Sequence, residues 1–101
     1  MWILQGAPPL DARTGVEPFT FRLAPGTVKT VGRAPRADFI LDVALVSRLH
    51  CRLSATEDGL EVVDLSSTNG TFVNDKRIDR ARLGSGDRLR VGRVELTIGR
   101  A

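Results

Sequence analysis

Residues 88–98 read RLRVGRVELTI, and this short stretch indicates the class of fold. Apolar and polar side chains alternate on both sides of the Gly92-Arg93 pair. A period of two predicts two strands that each bury one face. Glycine in the first position of a two-residue connection is typical of a type II′ turn, so the stretch predicts a β-hairpin.

Similar short apolar runs recur along the whole chain, several of them alternating, separated by turn signals such as Pro25-Gly26 and Asp58-Gly59. Many short strands at this spacing predict an all-β sandwich or barrel, here of about eleven strands. Residues 8–18 are predicted to form a loop. Besides the hairpin strands Arg88–Val91 and Val94–Ile98, the predicted strands are Trp2–Gln5, Phe19–Leu23, Val28–Val31, Cys51–Ala55 and Leu60–Leu65.

Length and composition favour one globular domain over residues 1–101. The chain is 42% hydrophobic and 27% charged, which is ordinary for a soluble domain. No apolar stretch approaches the roughly 20 residues of a membrane helix, and no secretory signal precedes the first strand. Cys51 is the only cysteine, so an internal disulfide is excluded. We therefore expect a monomeric cytoplasmic domain.

The charge balance does not favour a nucleic-acid binder. The chain has fifteen basic and twelve acidic residues, which gives a net charge of +3. Thirteen of the fifteen are arginines, which suit phosphate and carboxylate but can equally reflect codon usage. The aromatic residues are all predicted to lie in the core or at a terminus, so no platform for stacking bases is expected.

The candidate catalytic residues do not form a plausible active site. Ser47 lies three residues before His50, the only histidine, and no third group is placed to orient the imidazole. One histidine and one cysteine cannot furnish a zinc site of the usual spacing. We expect neither enzyme activity nor a metal, a cofactor or a small-molecule substrate.

Three polar segments lie at predicted loops: Val31–Ala34, Val46–His50 and Asp64–Asn74. Together they offer a guanidinium, several hydroxyls, an amide and backbone N–H groups, and Asp64 is the only carboxylate expected at the same place. Such a donor-rich set suits an anion, and phosphate is the obvious candidate. Each segment also has a plain structural interpretation. Asn69-Gly70 matches a type I′ turn, and His50 fits a buried, hydrogen-bonded histidine.

The order and spacing of these segments resemble the forkhead-associated (FHA) family. The resemblance rests on Gly32-Arg33, Ser47-x-x-His50, the run SSTNGTFVN over 66–74 and LGSGDRLRVG over 83–92. It covers about residues 28–98. It implies an FHA/SMAD-like β-sandwich of about eleven mainly antiparallel strands with binding loops at one end. It also implies a signalling module that binds a threonine-phosphorylated protein.

The resemblance assigns binding roles to five residues. Arg33 is expected to contact the phosphate and the peptide. The Ser47 hydroxyl and the backbone N–H of Arg48 are expected to bind phosphate oxygens. Thr68 supplies a further hydroxyl, and Asn69 holds the peptide backbone.

Three further residues are expected to support this site. Gly32 and Gly70 shape the loops, and His50 braces the loop that carries Ser47. A phosphorylation-independent assembly domain is the alternative function, since FHA-like domains can also bind through their outer strands.

Two features depart from the family pattern. Asn74-Asp75 stands where Asn-Gly is usual, and Asp can still adopt the positive φ of that turn. The loop over 43–46, which often selects the third residue after the phosphothreonine, reads VALV and is apolar. We therefore predict an apolar or unselective third position.

Overall fold

The computed structural model describes residues 1–7 and 19–101, in which eleven strands are joined by turns and loops. None of these residues belongs to a helix that is long and apolar enough to span a membrane. The loop predicted over 8–18 lies outside the described residues. The strands are β1 (Trp2–Ala7), β2 (Phe19–Leu23), β3 (Val28–Gly32), β4 (Phe39–Ile40), β5 (Cys51–Ala55), β6 (Leu60–Asp64), β7 (Thr71–Val73), β8 (Lys76–Ile78), β9 (Arg80–Leu83), β10 (Arg88–Val91) and β11 (Val94–Arg100).

The strands form two sheets. The six-stranded sheet has the order β2-β1-β11-β10-β7-β8, and the five-stranded sheet has the order β4-β3-β5-β6-β9. Every neighbouring pair is antiparallel except β3 and β4, which run parallel. The predicted all-β sandwich of mainly antiparallel strands is thereby confirmed. The predicted strands have the observed bounds or differ from them by about one or two residues at one end.

The core follows from the alternation in the sequence. In β11, Val94, Leu96 and Ile98 are buried, while the residues between them are exposed. Equivalent positions of the other strands fill the space between the sheets. The rings of Phe21 and Phe39 stack with centroids 4.3 Å apart, which ties β2 of one sheet to β4 of the other.

Two tight turns fix the register of the six-stranded sheet. Gly92 has a φ of 61° and Arg93 does not share it, so the β10–β11 hairpin has the positive φ that a type II′ turn needs. Asn74 and Asp75 have φ values of 49° and 69°, as in a type I′ turn between β7 and β8. The Asn-Asp pair therefore replaces Asn-Gly without loss of the hairpin.

One aromatic side chain departs from the prediction. Phe72 lies on the outer face of the six-stranded sheet, because its neighbours Thr71 and Val73 face the core. The guanidinium of Arg90 sits 4.3 Å from the centroid of the Phe72 ring. The expectation that every aromatic residue is in the core or at a terminus was wrong for Phe72.

Candidate functional site

Strand pairing brings the three polar loops to one end of the sandwich. Val31 of β3 pairs with Cys51 of β5, and Cys51 pairs with Asp64 of β6. The end of β3, the start of β5 and the end of β6 therefore lie side by side. The loops attached there are the β3–β4, β4–β5 and β6–β7 connections. They contain the expected binding residues together with His50 and Gly70, and Gly32 is the last residue of β3.

A cleft of about 450 Å³ opens between these loops. The structure brings together in its lining all five residues expected to bind ligand. Gly32, His50 and Gly70 are buried, in contact with the same loops. The lining residues are Arg33, Ala44, Leu45, Val46, Ser47, Arg48, Thr68 and Asn69.

Arg33 is held in the cleft by the β4–β5 loop. Its backbone N–H donates to the Ser47 carbonyl at 2.9 Å, and its Nε donates to the Val46 carbonyl at 3.2 Å. Within the described part of the chain, its terminal guanidinium nitrogens form no hydrogen bond and no ion pair. The side chain is thus anchored at Nε and retains its charged end for an anion.

Several further donors in the cleft lack an acceptor from the described residues. They are the backbone N–H of Arg48, its guanidinium and the Thr68 hydroxyl. The Ser47 Oγ accepts the Thr68 N–H at 3.0 Å, and its own proton stays available. This link also joins the β4–β5 loop to the β6–β7 loop.

His50 connects two loops from beneath the cleft. Its Nδ1 accepts the backbone N–H of Ser47 at 3.0 Å, and its Nε2 donates to the Gly70 carbonyl at 2.8 Å. These partners require a neutral imidazole with its proton on Nε2. Burial lowers the pKa of His50, although the bond to Gly70 and the Asp64 carboxylate oppose the shift. His50 is fully buried and does not reach the cleft.

Asp64 organises the β6–β7 loop, a role that the sequence analysis did not assign. Its carboxylate accepts the Ser67 hydroxyl, the Ser67 N–H at 3.1 Å and the Thr71 hydroxyl at 2.7 Å. Ser67 Oγ in turn accepts the Gly70 N–H at 3.0 Å. Burial acts to raise the pKa of Asp64, but the bonds from Ser67 and Thr71 outweigh it and lower the pKa. The available signal was the acid Asp64 followed two and three residues later by Ser66 and Ser67.

The β6–β7 loop does not contain a type I′ turn at Asn69-Gly70. Only Gly70 of the pair has a positive φ, at 90°. The Asn69 side chain instead donates from Nδ2 to the Leu45 carbonyl at 3.1 Å. Leu45 itself has a φ of 72°, which is uncommon for a leucine and which nothing in the sequence predicts.

Comparison of the sequence with known proteins identifies a family and several relatives. The FHA domain family model covers residues 29–92. The ABC transporter ATP-binding/permease protein Rv1747 of Mycobacterium tuberculosis is 38% identical over 104 aligned positions, which cover 88% of this chain. The glycogen accumulation regulator GarA of the same organism is 33% identical over 97 positions, or 92% of this chain. The chain spans 12% of the length of the transporter and 60% of that of GarA.

A solved structure shares the same fold. It comes from a structural and functional analysis of phosphothreonine-dependent FHA domain interactions and is 30% identical to this chain. The match covers 99% of this chain and 96% of that one, with a TM-score of 0.81. The similarity therefore extends across the whole sandwich rather than the loops alone.

Proposed function

Because this chain belongs to the forkhead-associated (FHA) family, whose domains bind phosphothreonine peptides, we propose that its end cleft binds a phosphothreonine-containing segment of a partner protein. Arg33, the Ser47 hydroxyl, the Arg48 N–H and the Thr68 hydroxyl bind the phosphate in this proposal. Asn69 holds the peptide backbone beside the modified residue.

The convergence of unpaired donors in one cleft carries the proposal. Arg33, Arg48 and Thr68 offer hydrogen-bond donors that no acceptor within the described residues uses. No carboxylate lines the cleft among those residues. Such a site attracts a dianion and disfavours an unmodified threonine, whose hydroxyl is neutral.

The expected affinity is moderate. Each charge-assisted hydrogen bond contributes about 1.5–3 kcal/mol, and three or four of them are available to the phosphate. Ordering a flexible peptide offsets several kcal/mol of that gain. We therefore expect a dissociation constant in the micromolar range, which corresponds to a binding free energy of about −8 kcal/mol.

Calorimetric titration with a phosphothreonine peptide and its unphosphorylated twin tests the proposal. Wild-type protein should bind only the phosphorylated peptide, and Arg33→Ala should abolish measurable binding. Equal affinities for the two peptides, or full binding by Arg33→Ala, would refute it. Undiminished capture of an unmodified partner by Arg33→Ala would instead support a phosphorylation-independent assembly domain.

The same proposal covers the location, the oligomeric state and the lack of catalytic activity of the domain. We place the domain in the cytoplasm as a monomer that catalyses no reaction and recruits a threonine-phosphorylated signalling partner. The Cys51 side chain is fully buried, and burial raises the pKa of its thiol to about 12. The thiol is therefore not expected to act as a nucleophile.

A further inference from the structure

A row of side chains crosses the outer face of the six-stranded sheet beside the cleft. Arg77 of β8 lies directly opposite Phe72 of β7, and Phe72 lies opposite Arg90 of β10. The turn at Asn74-Asp75 sets this register, and a slip of one residue would turn Arg77 to the other face. The three side chains therefore form a fixed basic row with an aromatic residue at its centre.

Arg77 reaches the loop that carries the candidate site. A Cβ atom added to Gly70 would lie 2.9 Å from the Arg77 Nε and 3.3 Å from the Phe72 ring. Gly70 follows Asn69 in the chain, and consecutive Cα atoms are about 3.8 Å apart, so the guanidinium lies within about 8 Å of the Asn69 Cα. An extended peptide advances about 3.3 Å per residue, so this distance corresponds to about two residues.

The charge of Arg77 is uncompensated. Asp75 and Glu95 each form an ion pair with Arg88, at 3.3 Å and 3.9 Å, and Glu95 also lies opposite Arg90 in the neighbouring strand. Among residues 1–7 and 19–101, no acceptor or carboxylate pairs with the Arg77 guanidinium, which is exposed. The Arg77 guanidinium packs against Gly70, and Arg77 pairs with Phe72 in the neighbouring strand, so its position is set before an anion binds.

We propose that Arg77 is a specificity-determining residue that binds a second anionic side chain, a carboxylate or a second phosphate, within two residues of the phosphothreonine. This inference rests on the proposed function and goes beyond it, because it assigns ligand selection to a strand outside the cleft. The occupant is part of the same peptide, since the row is continuous with the Asn69-Gly70 loop.

The test uses four phosphothreonine peptides with one shared core. The first peptide has neutral flanks. The second has glutamate at the two positions before the phosphothreonine, and the third has glutamate at the two positions after it. The fourth has a second phosphothreonine two residues from the first, on the side where glutamate strengthens binding. Calorimetry compares wild-type protein with Arg77→Gln, and with Arg82→Gln as the matched control. Arg82 is an exposed arginine on β9, in the other sheet, opposite Glu61.

Wild-type protein should bind at least one anionic peptide about fivefold more tightly than the neutral one, a gain that high salt weakens. Arg77→Gln should remove that gain and leave both the affinity for the neutral peptide and the melting temperature unchanged. Arg82→Gln should retain it. The position of the favoured glutamates identifies the side on which Arg77 acts, and the doubly phosphorylated peptide separates phosphate from carboxylate.

Phosphorylation-dependent binding with no anionic preference, or with a preference that Arg77→Gln keeps, would overturn the role of Arg77 alone. A preference lost equally in Arg82→Gln would show a general charge effect and would also overturn it. Absence of any phosphorylation-dependent binding would overturn this role together with the proposed function.

Discussion

Gly32 and Arg48 are packed backbone against backbone: a Cβ atom added to Gly32 would lie 2.0 Å from the Arg48 carbonyl oxygen. That oxygen also accepts the N–H of Ala34 at 3.1 Å, so it is not free to move. The contact brings the end of β3 against the β4–β5 loop and sets the distance between Arg33 and Ser47. Only glycine allows this approach, whatever the local φ.

Substitution of Gly32 by alanine is therefore expected to destabilise the domain by about 3 kcal/mol or more, because the clash involves backbone on both sides. Chemical denaturation measures the loss. Gly84→Ala is the matched control, since Gly84 has nothing within 4 Å of its added Cβ and no positive φ. A similar, small effect of both substitutions would contradict the argument.

The two cleft hydroxyls should separate binding from stability. Ser47 Oγ accepts the Thr68 N–H, whereas the Thr68 hydroxyl has no partner among the described residues. Thr68→Ala should weaken phosphopeptide binding about tenfold with no change in stability. Ser47→Ala should weaken it at least as much and also cost up to about 1 kcal/mol of stability, because one loop link is lost.

Calorimetry and thermal denaturation of the two variants check this expectation. Thr97→Ala, at an exposed position of β11, removes a hydroxyl far from the loops and should change neither quantity. Loss of stability in Thr68→Ala without loss of binding would show that this hydroxyl is structural.

His50 should make stability depend on pH in a defined window. Its folded pKa is lowered by burial below the ordinary value of about 6.5, so the unfolded chain binds the proton more readily. Stability should therefore fall as the pH drops through about 6.5, and should level off below the folded pKa. The slope cannot exceed about 1.4 kcal/mol per pH unit.

The carboxylates with lowered pKa values titrate in a different window. Asp64, Asp38 and Asp87 contribute stability that is lost only as the pH falls below about 4. Denaturation at pH 7, 6 and 5 thus isolates His50. His50→Gln, which does not titrate, should show a lower but flat stability over this range. Parallel slopes for variant and wild type would disprove the assignment.

Much of the fold is readable from the sequence because the strands of the final hairpin obey local rules. The alternation of β10 and β11 and the glycine of their turn each dictate the observed backbone. The parallel β3–β4 pair was not predictable, since β4 has two residues and owes its place to contacts such as the stacking of Phe39 on Phe21. Phe72 was misassigned because a central aromatic residue in a strand usually faces the core.

The site was predictable to the extent that it depends on motif and spacing. Arg33, Ser47 and Thr68 are named by the resemblance, and the pairing of β3, β5 and β6 brings their loops together. Asp64 and Ser67 were not assigned, because an acid shortly before two serines is a weak signal and the three bonds that the Asp64 carboxylate accepts depend on how the loop folds. Leu45, whose positive φ was not predicted, accepts a hydrogen bond from Asn69 and lies close to Gly92, where an added Cβ would be 3.0 Å from the Leu45 carbonyl; both contacts join parts of the chain that are distant in sequence.

The third position after the phosphothreonine should be apolar or unselective in a peptide array. Leu45 lines the cleft with 48% of its surface exposed. The loop over 43–46 contains no basic residue that could bind an acidic side chain. Leu45→Lys should create a preference for aspartate or glutamate there, of about fivefold. Lysine also carries an unbranched Cβ, so the backbone at φ 72° is strained to the same degree in both proteins. Leu49→Lys, at an exposed leucine outside the cleft lining, should leave the array unchanged. A strong acidic preference of the wild-type domain at this position would refute the prediction.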